Sequence, residues 1–147
     1  MKVLIQRVKN ASVSVEGKQF SEIDKGILAF IGVEKDDNEA MAEKLAKKLV
    51  NLRIFPDENK KMNKSVIDVN GKILVVSQFT LCGDCKKGTR PSFDKSAPPN
   101  IAKKLYEDFI KEINRYGVET GNGEFGAMME VKLLNDGPVT FMLEEHI

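Results

Sequence analysis

A chain of 147 residues with 41% hydrophobic and 31% charged side chains has the length of one domain and a composition that excludes a disordered polymer. With 23 basic against 22 acidic residues the net charge is +1, so bulk charge does not point to nucleic acid. Residues 1–147 therefore read as a single domain, and no apolar run approaches the roughly 20 residues of a membrane helix.

Residues 3–8 and 11–15 alternate apolar and polar side chains as half-buried strands do, and Asn10 permits a bulge or bend between them. Glu16-Gly17-Lys18 reads as a hairpin turn into a short returning strand at 19–23. The run 27–33 is apolar at almost every position, which predicts a central strand covered on both faces. Asp37 or Asn38 suits an N-cap, and Met41, Leu45 and Leu49 with Ala42 and Ala46 describe an amphipathic helix ending near Asn51. Lys44, Lys47 and Lys48 fall on its solvated face.

Residues 52–55 predict a strand stopped by Pro56-Asp57, followed by an exposed turn at 59–63. Asn70-Gly71 between 66–69 and 72–76 predicts a type I′ hairpin. Residues 82–100 form a long polar loop in which Lys86, Lys87, Arg90 and Lys95 cluster, and such loops inside compact domains are functional or disordered. Pro98 and Pro99 suit the first turn of a second helix with apolar positions Ile101, Leu105, Phe109 and Ile113, and Gly117 lies beyond its end as a C-cap. After a flexible stretch at 120–123, strands at 128–134 and 139–143 bracket Gly137-Pro138. The pattern is that of an α+β fold, an antiparallel β-barrel-like sheet with two main helices packed on it.

Two places invite chemistry. Ser77-Gln78-Phe79-Thr80-Leu81 closes the most apolar strand and turns abruptly polar. Its hydroxyls and amide are either satisfied by backbone at an ordinary strand end or face a cleft. Asn135-Asp136-Gly137-Pro138-Val139-Thr140 interrupts the final strands, and an X-Pro bond is where a cis peptide costs least.

Other routes are poorly supplied. The one histidine, His146, lies at the tail, so a Ser-His-Asp triad would need that tail to reach the site. Cys82 and Cys85 have C-x-x-C spacing without the second pair that zinc wants, and without the βαβ context of a thioredoxin-like motif. No phosphate-cradling glycine loop occurs, and two cysteines cannot form a disulfide scaffold. With no signal-peptide pattern at the N-terminus, a cytoplasmic location is expected.

Taken together, the S-Q-F-T-L and N-D-G-P-V-T motifs closely resemble the D-aminoacyl-tRNA deacylase family, over essentially the whole chain. Val3-Leu4-Ile5-Gln6-Arg7-Val8 and Lys87-Gly88-Thr89-Arg90-Pro91-Ser92-Phe93 fit the same pattern. The resemblance implies a homodimeric, metal-independent hydrolase without a cofactor, acting on aminoacyl-tRNA, with a barrel-like core shared with archaeal threonyl-tRNA synthetase editing domains. It implies catalysis at Ser77, Gln78, Phe79 and Thr80, with Thr80 open as nucleophile or positioning group. It assigns chiral selection to a cis Gly137-Pro138 inserted into the partner subunit's site, with Arg7, Asn135 and Thr140 around it. Phe125 and Met129 would hold the terminal adenosine or belong to the core. A catalytically silent tRNA 3′-end binding module is the competing expectation, and a dimeric structural or redox protein using Cys82 and Cys85 is a third.

Overall fold

In the computed structural model, which describes residues 1–146, the first strand sets the layout. Strand β1 (Lys2–Val15) is one element of 14 residues, where the sequence predicted two. Its buried residues before and after the middle serve different cores. Val3 and Ile5 pack under the helices, whereas Val8, Ala11 and Val13 face the interior of the curved sheet. The switch is made by an irregularity between Val8 and Asn10, where one extra residue in β1 returns the next apolar positions to the inner face. That is the bulge predicted at Asn10.

β2 (Lys18–Ile23) and β3 (Gly26–Gly32) both pair antiparallel with β1, at its second and first half respectively. β8 (Glu130–Glu144) pairs with β1 along nearly its whole length. Beyond β3 the sheet continues to β6 (Lys72–Ser77) and β7 (Thr120–Asn122), both added in parallel. The sheet is therefore mixed, not antiparallel as predicted. Its order is β2-β1-β3-β6-β7, and Ser21 Oγ donates to the Asn122 carbonyl at 2.8 Å, so the last strand comes back to the first and nearly closes a barrel.

The parallel pairing follows from the connection between β3 and β6. The chain crosses through helix α1 (Glu39–Asn51) and a small ribbon of β4 (Phe55–Pro56) and β5 (Met62–Lys64), then re-enters the sheet in the same direction. The ribbon takes up part of the predicted strand at 52–55 and part of the predicted turn at 59–63. The predicted Asn70-Gly71 hairpin does not form. Ser65 and Asp68 cap one another at 2.8 and 3.1 Å, and residues 65–71 close as a helical turn with Gly71 N donating to Val66 O at 2.9 Å. A Ser-x-x-Asp pair is a helix-start signal, and here it outweighs the turn preference of Asn-Gly.

α1 starts at Asn38, whose side chain accepts from Met41 N at 3.1 Å, and it buries Met41, Ala42, Leu45, Ala46, Leu49 and Val50. α2 (Pro99–Arg115) begins at Pro99 and buries Leu105, Tyr106, Phe109 and Ile113, while Ile101 stays exposed on its first turn. Both helices pack on one face of the sheet. The expected flexible stretch at 120–123 is instead β7, and the two predicted final strands are the single β8.

Candidate active site

β6 ends beside β3, and the two strands deliver the polar segment together. Gln78 N donates to Ile31 O at 2.7 Å, after which the chain folds into a 3₁₀ turn at Phe79–Cys82, closed by Leu81 N to Gln78 O and Gly83 N to Thr80 O. Gly32 at the end of β3 lies directly beneath. A Cβ there would stand 2.9 Å from Leu81 Cβ and 3.2 Å from Cys82 Sγ, so the absent side chain is what lets the turn sit down on the strand. Gln78 Nε2 donates to Thr80 Oγ1, which fixes both side chains at the mouth of a cleft of about 600 Å³.

Ser77, Gln78, Phe79 and Thr80 line that cleft together with Ile31, Val33 and Val76. Phe125 and Met129 line it as well, with Gly126, Ala127 and Met128 between them. Phe125 leans on Tyr106, with ring centroids 5.8 Å apart. Tyr106 itself is buried and donates to Val75 O at 2.8 Å, and its hydroxyl lies 3.4 Å from Gly123 O. Burial pushes the Tyr106 phenol up to about 12, so it serves as a neutral donor.

Ser96, Ala97, Pro99, Ala102 and Val131 complete the lining, and none of them was singled out from the sequence as a site residue. Small residues in a loop and at a helix start carry no periodic signal. The Pro98-Pro99 pair marked the helix start but not its place at the rim. Phe79, 55% exposed, meets Phe93 edge-on with centroids 5.1 Å apart. Among the described residues, no acidic, basic, histidine or cysteine side chain lines the cleft.

The second motif makes its own structure elsewhere. Between the pairs Gln6↔Thr140 and Val8↔Asn135, β1 advances two residues while β8 advances five, so Asp136, Gly137 and Pro138 are extruded from the ladder. The Gly137-Pro138 bond is cis and both residues are exposed. Asn135 ties the base of the bulge, accepting from Val139 N at 2.9 Å and donating to Thr140 Oγ1 at 3.0 Å. Gln6 Nε2 also donates to Thr140 Oγ1, at 3.3 Å.

Arg7 reaches in from β1. Its Nε donates to Asp136 O at 3.0 Å and its Nη1 to Ile54 O at 2.6 Å, with the Asp136 carboxylate 3.5 Å away. It is 9% exposed, so it is not the surface arginine an alternating strand could hold. Gly137 has φ +133, and a Cβ there would stand 2.8 Å from Val139 Cγ2 and 3.1 Å from Arg7 Nη2, which reserves the position for glycine. Within one chain, Arg7, Asn135, Gly137, Pro138 and Thr140 form a group that does not line the cleft.

The family model described as D-Tyr-tRNA(Tyr) deacylase matches residues 4–144, which spans both groups. The chain belongs to this family. Members named D-aminoacyl-tRNA deacylase include one from Thermosipho africanus (strain TCF52B), 58% identical over 98% of this chain and 97% of the relative. Another, from Thermodesulfovibrio yellowstonii (strain ATCC 51303 / DSM 11347 / YP87), is 57% identical over 97% of this chain and 98% of its own. Among solved structures, the c-Myc DNA unwinding element binding protein superposes with a TM-score of 0.94 at 40% identity, covering 100% of both chains. A probable eukaryotic D-amino acid tRNA deacylase superposes at 0.83 with 18% identity over 97% of each, which shows a shared fold.

Within a deacylase of this family the remaining candidates fall away from the cleft. His146 pairs with Glu144 at 3.0 Å and lines a separate hollow with Glu34, Asp36, Asp37 and Asp94. Cys82 is buried and donates to Val33 O at 3.5 Å; burial, then the nearby Glu34 charge, pushes its thiol up, against thiolate chemistry. Cys85 is free and exposed. Among the described residues no cluster of three potential metal ligands occurs, and no helix is long and apolar enough to cross a membrane.

Proposed function

We propose that the protein hydrolyses the ester of D-aminoacyl-tRNA, releasing the free D-amino acid and tRNA, clears glycyl-tRNA by the same route, and spares L-aminoacyl-tRNA. The observation that carries the mechanism is the cleft's lining, which offers hydroxyls, an amide and backbone but no titratable side chain. Among the residues the chain itself contributes to the cleft, general-base catalysis therefore has no agent. An aminoacyl ester is already activated by the neighbouring ribose hydroxyl, so positioning and oxyanion stabilisation suffice. Water attacks the carbonyl carbon, the ester C–O bond breaks, and the ribose oxygen takes the proton.

In this reading the Phe79 and Thr80 N–H groups receive the oxyanion, since neither donates to an acceptor outside its own turn. Gln78 and Ser77 orient the scissile end, and Phe79 shapes the floor. Thr80, held by Gln78 and without a base, positions rather than attacks. Phe125 and Met129 hold the terminal adenosine by stacking and apolar contact.

The protein works as a homodimer in the cytoplasm. The exposed Gly137-Pro138 bulge, braced by Arg7 and Asn135, enters the partner's cleft and rejects an L side chain by steric clash, which leaves D side chains of any size, and glycine, acceptable. Support comes from the bulge being rigidly tied yet absent from the cleft of its own chain. The second reading, a silent module that binds the tRNA 3′ end, draws on a 40% identical relative named for DNA binding.

A deacylation time course with D-tyrosyl-, L-tyrosyl- and glycyl-tRNA in the presence of a chelator decides between them. Rapid loss of the D and glycyl esters with the L ester spared is expected. Survival of all three would leave the binding module in possession.

A further inference from the structure

The loop between the 3₁₀ turn and α2 is built, and its charge is not used inside the molecule. Asp84 and Ser92 exchange backbone hydrogen bonds of 2.7 and 2.9 Å, closing a neck from which residues 85–91 project as an exposed lobe. The Asp84 carboxylate accepts from Lys86 N at 2.9 Å, and Gly88 at φ +65 turns the tip. The tip carries Lys86, Lys87 and Arg90 with no carboxylate between them. None of the three forms an ion pair among the described residues, and the three lie close together in sequence at one tip.

Beneath the tip is a hollow of about 330 Å³ in which Lys2, Lys86 and Lys95 face a single carboxylate, Asp84. The lobe is also tied to the site. Phe93, just past the neck, packs edge-on against Phe79, and Ser96 and Ala97 of the same loop line the cleft. In a chain of net charge +1, this run of cations without a carboxylate partner, on the loop that also lines the cleft, suits an anionic occupant.

We infer that the lobe of Lys86, Lys87 and Arg90, with the hollow behind it, binds backbone phosphates of the single-stranded 3′ arm of the tRNA, upstream of the esterified adenosine. The inference rests on the deacylase reading and adds to it where the polynucleotide leaves the cleft. Phosphate contacts position a nucleic acid without reading its sequence, so the lobe raises affinity for any acceptor end and leaves the chemistry at the ester alone. Exposed Phe93 beside the cations adds a ring face on which an unpaired base can stack.

The test replaces all three cations, Lys86→Gln, Lys87→Gln and Arg90→Gln, and compares a pair of substrates. With D-tyrosyl-tRNA the KM is expected to rise roughly tenfold or more with kcat little changed. The plot of log kcat/KM against log salt should become shallower by about 2, at about 0.7 per phosphate contact in a single strand. D-tyrosyl-adenosine, which has no phosphate, should be hydrolysed alike by variant and parent. A control variant, Lys47→Gln with Lys48→Gln on α1, should behave as the parent.

Unchanged tRNA kinetics, equal losses on both substrates, or an equal loss in the α1 control would each overturn the inference. So would a defect confined to binding of a random DNA duplex. If the parent hydrolyses neither ester, the deacylase reading fails by itself, and filter binding of uncharged tRNA still decides the lobe's role: a shallower salt slope in the triple variant supports it and an equal slope sinks it.

Discussion

Tyr106 joins the core to the cleft by a single side chain, since its ring supports Phe125 and its hydroxyl donates to Val75 O. Its phenol is held near 12 against an ordinary value of 10, so the folded state keeps the proton where the unfolded chain has lost it. The stabilisation is complete below pH 10 and is lost as pH rises toward 12, at about 1.4 kcal/mol per pH unit in that window. Urea unfolding of Tyr106→Phe should lack this part of the alkaline decline seen in the parent. Thr80 makes a different prediction. If it only positions, Thr80→Ala keeps measurable turnover, lowered about tenfold to a hundredfold, and mass spectrometry of quenched enzyme finds no acyl ester at position 80. Near-complete loss in the variant, with an ester trapped on the parent's Thr80, would establish the nucleophile instead. The strand end at Ser77–Thr80 stood out because hydroxyls and an amide ending an apolar strand break the local pattern, and of the two readings left open there the structure has these residues lining a cleft. The burial of Arg7 was not, because an arginine on an alternating strand looks the same whether its partners are water or the carbonyls of Ile54 and Asp136.

At the scale of elements, the contact between β3 and the 3₁₀ turn is the tightest link between fold and site. Gly32→Ala sets a methyl group against Leu81, Cys82 and the Gln78 carbonyl, and backbone cannot retreat as the end of a flexible side chain can. The expected result is destabilisation of about 1–3 kcal/mol in urea, with kcat falling more than the helix-rich circular dichroism signal changes. Normal turnover in a normally stable variant would show that the turn has more freedom than its packing implies. The two helices were legible in the sequence, since Met41, Leu45 and Leu49, and Leu105, Phe109 and Ile113, keep strict helical spacing. The sheet was legible as strands but not as pairings. Asn70-Gly71 argued locally for a hairpin, and only the crossover through α1 made β6 parallel to β3. Pairing depends on partners distant in sequence, which local periodicity does not encode.

For the whole molecule, the proposed homodimer, with the two motif groups apart in each chain, predicts complementation between inactive variants. Gln78→Ala and Gly137→Ala proteins should each be nearly inactive or unselective alone. Mixed after reversible dissociation, they should regain activity, because each heterodimer holds one cleft with an intact Gln78 facing an intact Gly137. No recovery, in a sample whose mass distribution proves subunit exchange, would place both groups' functions within one chain. The homodimer is expected only from the family resemblance, as nothing in one chain's hydrophobic pattern names a partner. The ladder between β1 and β8 has a further consequence, for synthesis. The second strand edge of β1 is covered only by residues from Glu130 onward, so most of the chain must be translated before that edge is sealed. Until then a 14-residue strand stands open to any other extended chain, and chaperone dependence or aggregation on the ribosome should be governed by how quickly the last residues arrive.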